Sequence, residues 1–164
     1  MSLRKAILTH DQLAWFQSSP TRDHILAYIL ALNDAVVNLK LTDNCPSSPQ
    51  VLAVLNVLDN IDQVAAETPP VNNSASRFGN PAFRTFYDKV SQVRPPLPTF
   101  PHYLTYQAKL SPSLHETLPN LPVDKIPEVS AYFIESWGNR TRIDYGSGME
   151  LNFLCWLYVS FRTW

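Results

Sequence analysis

Fourteen prolines against four glycines in 164 residues constrain this chain more than any other feature. Proline fixes φ and lacks a backbone donor, so it opens helices but breaks their interiors. Without glycine, the connections between helices are stiff rather than loose. Ser19-Pro20, Ser48-Pro49 and Asn80-Pro81 each put a capping side chain just before a proline at the first helical position, where the missing N–H costs nothing. Eight of the fourteen prolines fall between Val93 and Pro127 and divide the chain into two helical blocks.

Between these stops, apolar residues recur with helical spacing. Thr9-His10-Asp11-Gln12 reads as a capping box that opens a short helix carrying Leu13, Trp15 and Phe16. After Pro20, Ile25, Ile29, Leu32, Val36 and Leu39 follow at steps of four, three, four and three, one apolar stripe along about five turns. After Pro49, Val51, Leu55, Leu58 and Ala65 carry a second amphipathic helix, widened by Val54, Ile61 and Val64. The short connection between these two helices favours an antiparallel pair. Glu67-Thr68-Pro69-Pro70 ends the second, because a residue before proline is pushed out of the α region. Asn80-Pro81 starts a third, with Phe83, Phe86, Tyr87 and Val90 inward and Arg84, Asp88 and Lys89 wet.

Phe100, Tyr103, Leu104, Tyr106, Leu110, Leu114 and Leu118 supply anchors for the proline-rich stretch, which reads as a wrapping segment with a short helix around Leu114. Val129, Tyr132, Phe133 and Trp137 fit a helix closed by Gly138-Asn139. The glycines around Ser147 then turn the chain into a buried helix over Leu151 to Val159. No stretch alternates over a strand length. The fold class is all-α, one domain over 1–164: a helical block at about 9–92, the wrapping segment at about 93–127 and a helix-turn-helix at about 127–160.

An apolar content of 45% supports a real core in one domain of this length. Thirteen basic and fourteen acidic residues leave a net charge of -1, which offers no clustered positive field for nucleic acid or an anionic membrane. Cys45 and Cys155 form no CxxC pair, which argues against zinc, and Cys155 lies in an apolar run where a buried thiol is expected. The N-terminus lacks the apolar core of a signal peptide, and no run approaches the length of a spanning helix. An intracellular, cytoplasmic and also nuclear, setting is expected, in which the sequons at Asn72 and Asn139 are irrelevant.

No residue pattern announces covalent catalysis. His10, His24, His102 and His115 are scattered and read as surface or loop histidines, and Gly146-Ser147-Gly148 lacks the lysine and frame of a P-loop. The segment Arg142 to Glu150 is the best chemical candidate. Two glycines around a hydroxyl at a helix mouth expose backbone N–H groups that can hold an anion, and Arg142 can add a fork of donors. The plainer alternative is a tight turn in which glycine supplies positive φ and Arg142 pairs with Asp144 or Glu150. A second candidate, Arg77 to Arg84, is a capped helix entrance whose arginines and Asn80 can face a partner or simply water.

Ser76-Arg77-Phe78-Gly79-Asn80-Pro81-Ala82-Phe83-Arg84 and the run from Tyr132 to Gly148, with Trp137-Gly138-Asn139-Arg140-Thr141-Arg142-Ile143-Asp144-Tyr145-Gly146 at its centre, resemble the two signature stretches of the phosphotyrosyl phosphatase activators. The likeness runs from about Ile7 to about Phe153. It implies an all-helical fold with a deep cleft, activation of protein phosphatase 2A through its catalytic and scaffold subunits, and use of ATP and magnesium. It also implies peptidyl-prolyl cis/trans isomerisation of a proline-containing peptide. That reaction needs no nucleophile, since a barrier of about 18–20 kcal/mol falls when a pocket favours the twisted amide.

By motif, the resemblance makes Arg142, Ser147 and Gly148 nucleotide contacts, with Asp144, Tyr145, Gly146 and Glu150 shaping the loop. The resemblance leaves Arg77, Asn80 and Arg84 open to either role, partner surface or structural groups, and implies that no metal ligand lies in this half. The family pattern has histidine where this chain has Met149, and Ser160 to Trp164 departs from it. The resemblance therefore implies a truncated fold in which activity is weak, or a non-catalytic phosphatase-binding fragment, or a nonfunctional product.

Overall fold

The computed structural model describes residues 6–73, 79–91 and 110–161, and the chain divides into two compact units, Met1–Pro46 and Ser47–Trp164. Local chemistry starts the helices where the sequence places them. In the first unit the Thr9 hydroxyl accepts from the Gln12 amide at 3.3 Å, and the Gln12 side chain accepts from the Thr9 amide at 3.0 Å, which opens α1 (His10–Gln17). Ser19 accepts from the Arg22 amide at 3.3 Å and opens α2 (Pro20–Val36). Asn38 follows at φ 64°, a left-handed stop that asparagine tolerates.

The expected burial of the α2 stripe is not met within this unit. Ile25 is half-buried, while Ile29, Leu32, Val36 and Leu39 are exposed. The reason is length: α1, at eight residues, is less than half as long as the 17-residue α2 it packs on.

In the second unit Ser48 accepts from the Val51 amide and opens α3 (Pro49–Ala66). Its buried residues are Val54, Val57 and Ile61, with Val64 half-buried. The expected leading stripe is rotated away: Leu55 and Ala65 are exposed and Val51 and Leu58 are half-buried. Both rows are apolar, so periodicity alone does not choose between them; packing against α4 (Ala82–Ser91) and the core does. The end of α4 is tied to the end of α3 by Lys89 Nζ, which donates to the Glu67 carbonyl at 3.1 Å and to the Thr68 hydroxyl at 2.8 Å.

The rest of the unit is α5 (Leu110–His115), a short 3-10 turn (Val123–Lys125), α6 (Ile126–Glu135) and α7 (Ser147–Phe161). Among the described residues there is no strand, and one isolated bridge joins Asn139 and Asp144, so the all-α class holds. The first half of the wrapping segment, 93–109, lies outside the described residues; of its anchors, Leu114 and Leu118 are buried in the core.

Phe133 of α6 and Trp156 of α7 are fully buried with ring centroids 4.6 Å apart, and His115 of α5 meets Phe133 edge-on at 5.3 Å. The Trp156 indole donates to His115 Nε2 at 2.6 Å, and His115 Nδ1 lies 3.3 Å from the Ser130 hydroxyl. An indole can only donate, so Nε2 accepts and the ring proton sits on Nδ1, facing Ser130. This corrects the expectation that His115 is a surface or loop histidine: it is 0% exposed.

The α7 run is likewise less buried than expected. Trp156 and Ser160 are buried, Phe153, Cys155 and Leu157 are half-buried, and Leu151 is exposed. Burial pushes the Cys155 thiol pKa up, which keeps it protonated and inert.

Phe133→Ala is expected to cost about 3–5 kcal/mol, because it opens a cavity between three rings. His115→Leu leaves the Trp156 indole without its acceptor, at about 1–3 kcal/mol. Leu55→Ala, on the exposed row, should stay within about 0.5 kcal/mol. Urea unfolding of the three variants beside the parent chain checks this order, and a Leu55→Ala loss equal to that of Phe133→Ala would refute the placement of the α3 face.

Candidate functional site

The described part of the first stretch, from Gly79 to Arg84, folds against the second. The chain leaves α6 at Ser136 and takes φ +126° at Gly138, where a β-carbon would stand 2.9 Å from both the Asp144 carbonyl and the Phe83 ring. The Asn139 side chain then accepts from the amides of Thr141 and Arg142 at 3.0 and 2.9 Å. The Asn139 amide donates to the Asp144 carbonyl at 3.0 Å, and the Ile143 amide donates to the Asn139 carbonyl at 2.8 Å, closing a small loop.

Ile143 sits at φ 54°, a costly conformation for a β-branched residue. It is held there by Gly79, whose missing β-carbon leaves room for the Ile143 carbonyl and methyl; both would lie 2.5 Å from a β-carbon. Glycine is thus required at 79 and 138. Gly146 and Gly148 face open space, so the positive φ expected of them falls on Gly138 and Ile143 instead.

Charged groups complete the attachment of α4 to this loop. Arg140 grips Asp88 with two bonds, Nε to Oδ1 at 2.5 Å and Nη2 to Oδ2 at 2.6 Å. Arg84 donates to the carbonyls of Arg140 and Thr141 at 3.4 and 3.3 Å. Asn80 spends its side chain within the chain: Oδ1 accepts from the Val71 and Ala82 amides and Nδ2 donates to the Val71 carbonyl. Arg77 lies outside the described residues. The Arg140–Asp88 pair escaped sequence reasoning because partners 52 residues apart leave no local spacing signal.

Beyond the loop, Ser147 and Gly148 form the first turn of α7, exposed, with Glu150 exposed beside them. Their amides precede the first intrahelical acceptor, whereas the Met149 and Glu150 amides bond the Gly146 carbonyl. Arg142 pairs with Asp144, Nε to Oδ2 at 2.7 Å and Nη2 to Oδ1 at 3.2 Å, the pairing of the plainer alternative. With side chains 65% and 48% exposed, this is a solvent-screened pair. It leaves Nη1 of Arg142 without a protein partner among the described residues. Among the described residues there is no group of three or more His, Cys, Asp or Glu side chains placed to hold a metal ion, and no helix is long and apolar enough to cross a membrane.

Next to this turn, α3, α4, the start of the loop and α7 enclose an open cleft of about 610 Å³. Its walls include Leu58, Ile61, Ala65, Phe86, Trp137 and Phe153, with Tyr145 and Asp62 also in the lining. Sequence reasoning turned Phe86 inward and placed Phe153 in a buried helix. Their helical spacing is the same whether a face meets a neighbour or a cleft.

An all-helical fold is what the resemblance implies, and comparison with known proteins agrees. A family model described as phosphotyrosyl phosphate activator (PTPA) protein matches residues 3–163. The chain belongs to that family. The match also takes in most of the tail that was expected to depart from the family pattern.

A serine/threonine-protein phosphatase 2A activator 2 from Cryptococcus neoformans is 46% identical over 153 residues, covering 93% of this chain and 36% of that protein. Its counterpart in Schizosaccharomyces pombe is 36% identical, covering 94% of this chain and 39% of that one. The chain thus spans little more than a third of the length of these relatives. A crystal structure of the PP2A phosphatase activator Ypa1 shares the fold with a TM-score of 0.75 at 24% identity, over 96% of this chain and 46% of that one.

Gly79→Ala is expected to cost about 1–3 kcal/mol by pushing Ile143 out of place. Gly148→Ala should be neutral or stabilising by up to about 1 kcal/mol. Thermal unfolding of both variants tests this contrast, and equal losses would contradict the close approach at Gly79. A second prediction concerns acid. The direct bond from Arg140 holds the Asp88 carboxyl below its ordinary pKa. A lowered folded pKa contributes stability that is present above the unfolded value, about 3.9, and lost as pH falls through the folded one. Unfolding measured at a series of pH values should show this acid loss in the parent and a smaller one in Asp88→Asn.

Proposed function

We propose that this chain serves protein phosphatase 2A as part of an activator of that phosphatase. The observation that carries the reading is the family match over residues 3–163, supported by relatives that bear the activator's name. Partners on this reading are the phosphatase catalytic and scaffold subunits, with a proline-containing peptide as the substrate of an isomerase step.

The residues at the start of α7 fit one phosphate of a nucleotide. The Ser147 and Gly148 amides lie at the positive end of a 15-residue helix, the Ser147 hydroxyl adds a donor, and Arg142 has Nη1 to offer. Asp144 and Glu150 oppose a bare anion there, so a nucleotide that arrives with its own cation is favoured. ATP brings magnesium in that way and supplies phosphate charge when bound. The chain's part is to orient one phosphate and hold Arg142 beside it.

One observation favours a second reading, a phosphatase-binding module without catalysis: Arg142 already has Asp144 as its partner.

Capture of purified 1–164 by immobilised scaffold and catalytic subunits tests the phosphatase assignment. Retention is expected, and loss of retention at micromolar concentrations would sink it. Magnesium-ATP titrated calorimetrically should bind this chain weakly, because Arg142 is already paired with Asp144, and more weakly still in Arg142→Ala; tight uptake by the unaided chain contradicts this reading. Phosphatase activation that depends on ATP and equals that of a full-length relative would exclude the binding-module reading.

A further inference from the structure

We infer that His115 is a proton-sensitive catch: its uncharged ring holds α7 on α5 and α6, and a second proton on that ring releases the helix. The hydrogen bonds of the ring carry this, whether or not the phosphatase reading stands.

The catch follows from what each group can donate. The Trp156 indole donates to His115 Nε2 at 2.6 Å, and His115 Nδ1 lies 3.3 Å from the Ser130 hydroxyl. A charged imidazole bears a proton on both nitrogens and accepts nothing. Nε2–H then points at the indole N–H, donor against donor. Turning the ring over changes nothing, because either nitrogen meets the indole with a proton. The Ser130 hydroxyl can accept, but the indole cannot. His115 and Trp156 are both 0% exposed, so neither orphaned donor reaches solvent while α7 stays in place.

The groups that touch the ring do not favour the charge. Ser130 and Phe133 meet it from α6 and Trp156 from α7, and none of them carries a charge. Among the described residues, the titratable groups of the elements packed around it face water or other partners. On α4, Asp88 binds Arg140, Lys89 binds the Glu67 carbonyl and the Thr68 hydroxyl, and Arg84 binds two loop carbonyls. Burial holds the phenol of Tyr87 above its ordinary pKa, and so uncharged. On α6, Glu135 is exposed, and Glu128 acts with Cys155 of α7 on Tyr132, whose phenol burial raises. The Cys155 thiol is itself held neutral, Tyr158 is a phenol, and Glu150 is exposed. Glu116, next to His115 in the chain, is exposed, and Asp124 pairs with Lys125.

Acid therefore acts on the two states unequally. Once α7 has left, the imidazole takes its proton near the ordinary value of about 6.5, which the closed state resists. The opened state then binds more protons, so stability falls as pH drops below that value. This window lies well above the one set by Asp88 and Arg140.

Urea unfolding of the whole chain at about pH 7.5 and about pH 5.5 tests the catch beside His115→Gln, whose amide oxygen can accept from the indole but takes no proton. Relative to the variant, the opening constant of the parent should rise about tenfold over that interval. His10, His24 and His102 are present in both proteins, so the difference belongs to His115. Equal pH dependence in the two overturns the proposal. If His115→Gln fails to fold, nitrogen NMR of the labelled parent decides. A ring that stays uncharged until the Trp156 indole signal shifts or disappears supports the catch. A ring that charges with that signal unmoved overturns it.

Discussion

The bond from the Trp156 indole to His115 is the constraint on which the second unit turns. An indole has no second role to play, so the imidazole must accept at Nε2 and must keep its proton on Nδ1, toward Ser130. Both rings are buried, and a buried donor without its acceptor is costly, so the bond selects one rotation of α7 against α5 and α6. Phe133 fills the angle between them at 4.6 and 5.3 Å. With that rotation chosen, Phe153 turns toward the cleft and Ser147 and Gly148 begin the helix in water.

A second constraint acts at the other end of α6. The loop that follows carries an isoleucine in the left-handed region, and such strain persists where surroundings over-determine it. Here they do so from three directions: Gly79 admits the Ile143 backbone, Phe83 packs where Gly138 lacks a side chain, and Arg84, Arg140 and Asp88 bind the loop to α4. The two signature stretches are therefore parts of one structural unit. Much of their chemistry goes into shaping the loop, whereas the first turn of α7 at its exit is left in water.

What was legible in the sequence depended on how far apart the interacting groups lie. Thr9 with Gln12, Ser19 with Arg22 and Ser48 with Val51 act over three residues, so the starts of α1, α2 and α3 could be read directly. The choice of face could not. On α3 the Val51 and Val54 rows are both apolar, and the winner is set by α4, which periodicity does not see.

His115 was misread for the same reason, since the groups that make it a core residue are Ser130 and Trp156, 15 and 41 positions away. Glycine was informative in kind but not in place. The pair around Ser147 looked like the turn formers, yet the backbone needs glycine at 79 and 138, where another segment comes close. Arg142 carried two readings, a donor to phosphate and a partner for Asp144. The geometry satisfies the second while leaving Nη1 available to the first.

The proposed phosphate contacts and the apolar cleft share one helix. Ser147 and Phe153 lie six residues apart on α7, under two turns, and Trp156 pins the helix less than one turn further on. A helix moves as a body over that distance, so a displacement at Phe153 bears on the same element that presents the Ser147 and Gly148 amides. Tyr145 joins the two regions directly, because it lines the cleft and stands two residues before Ser147.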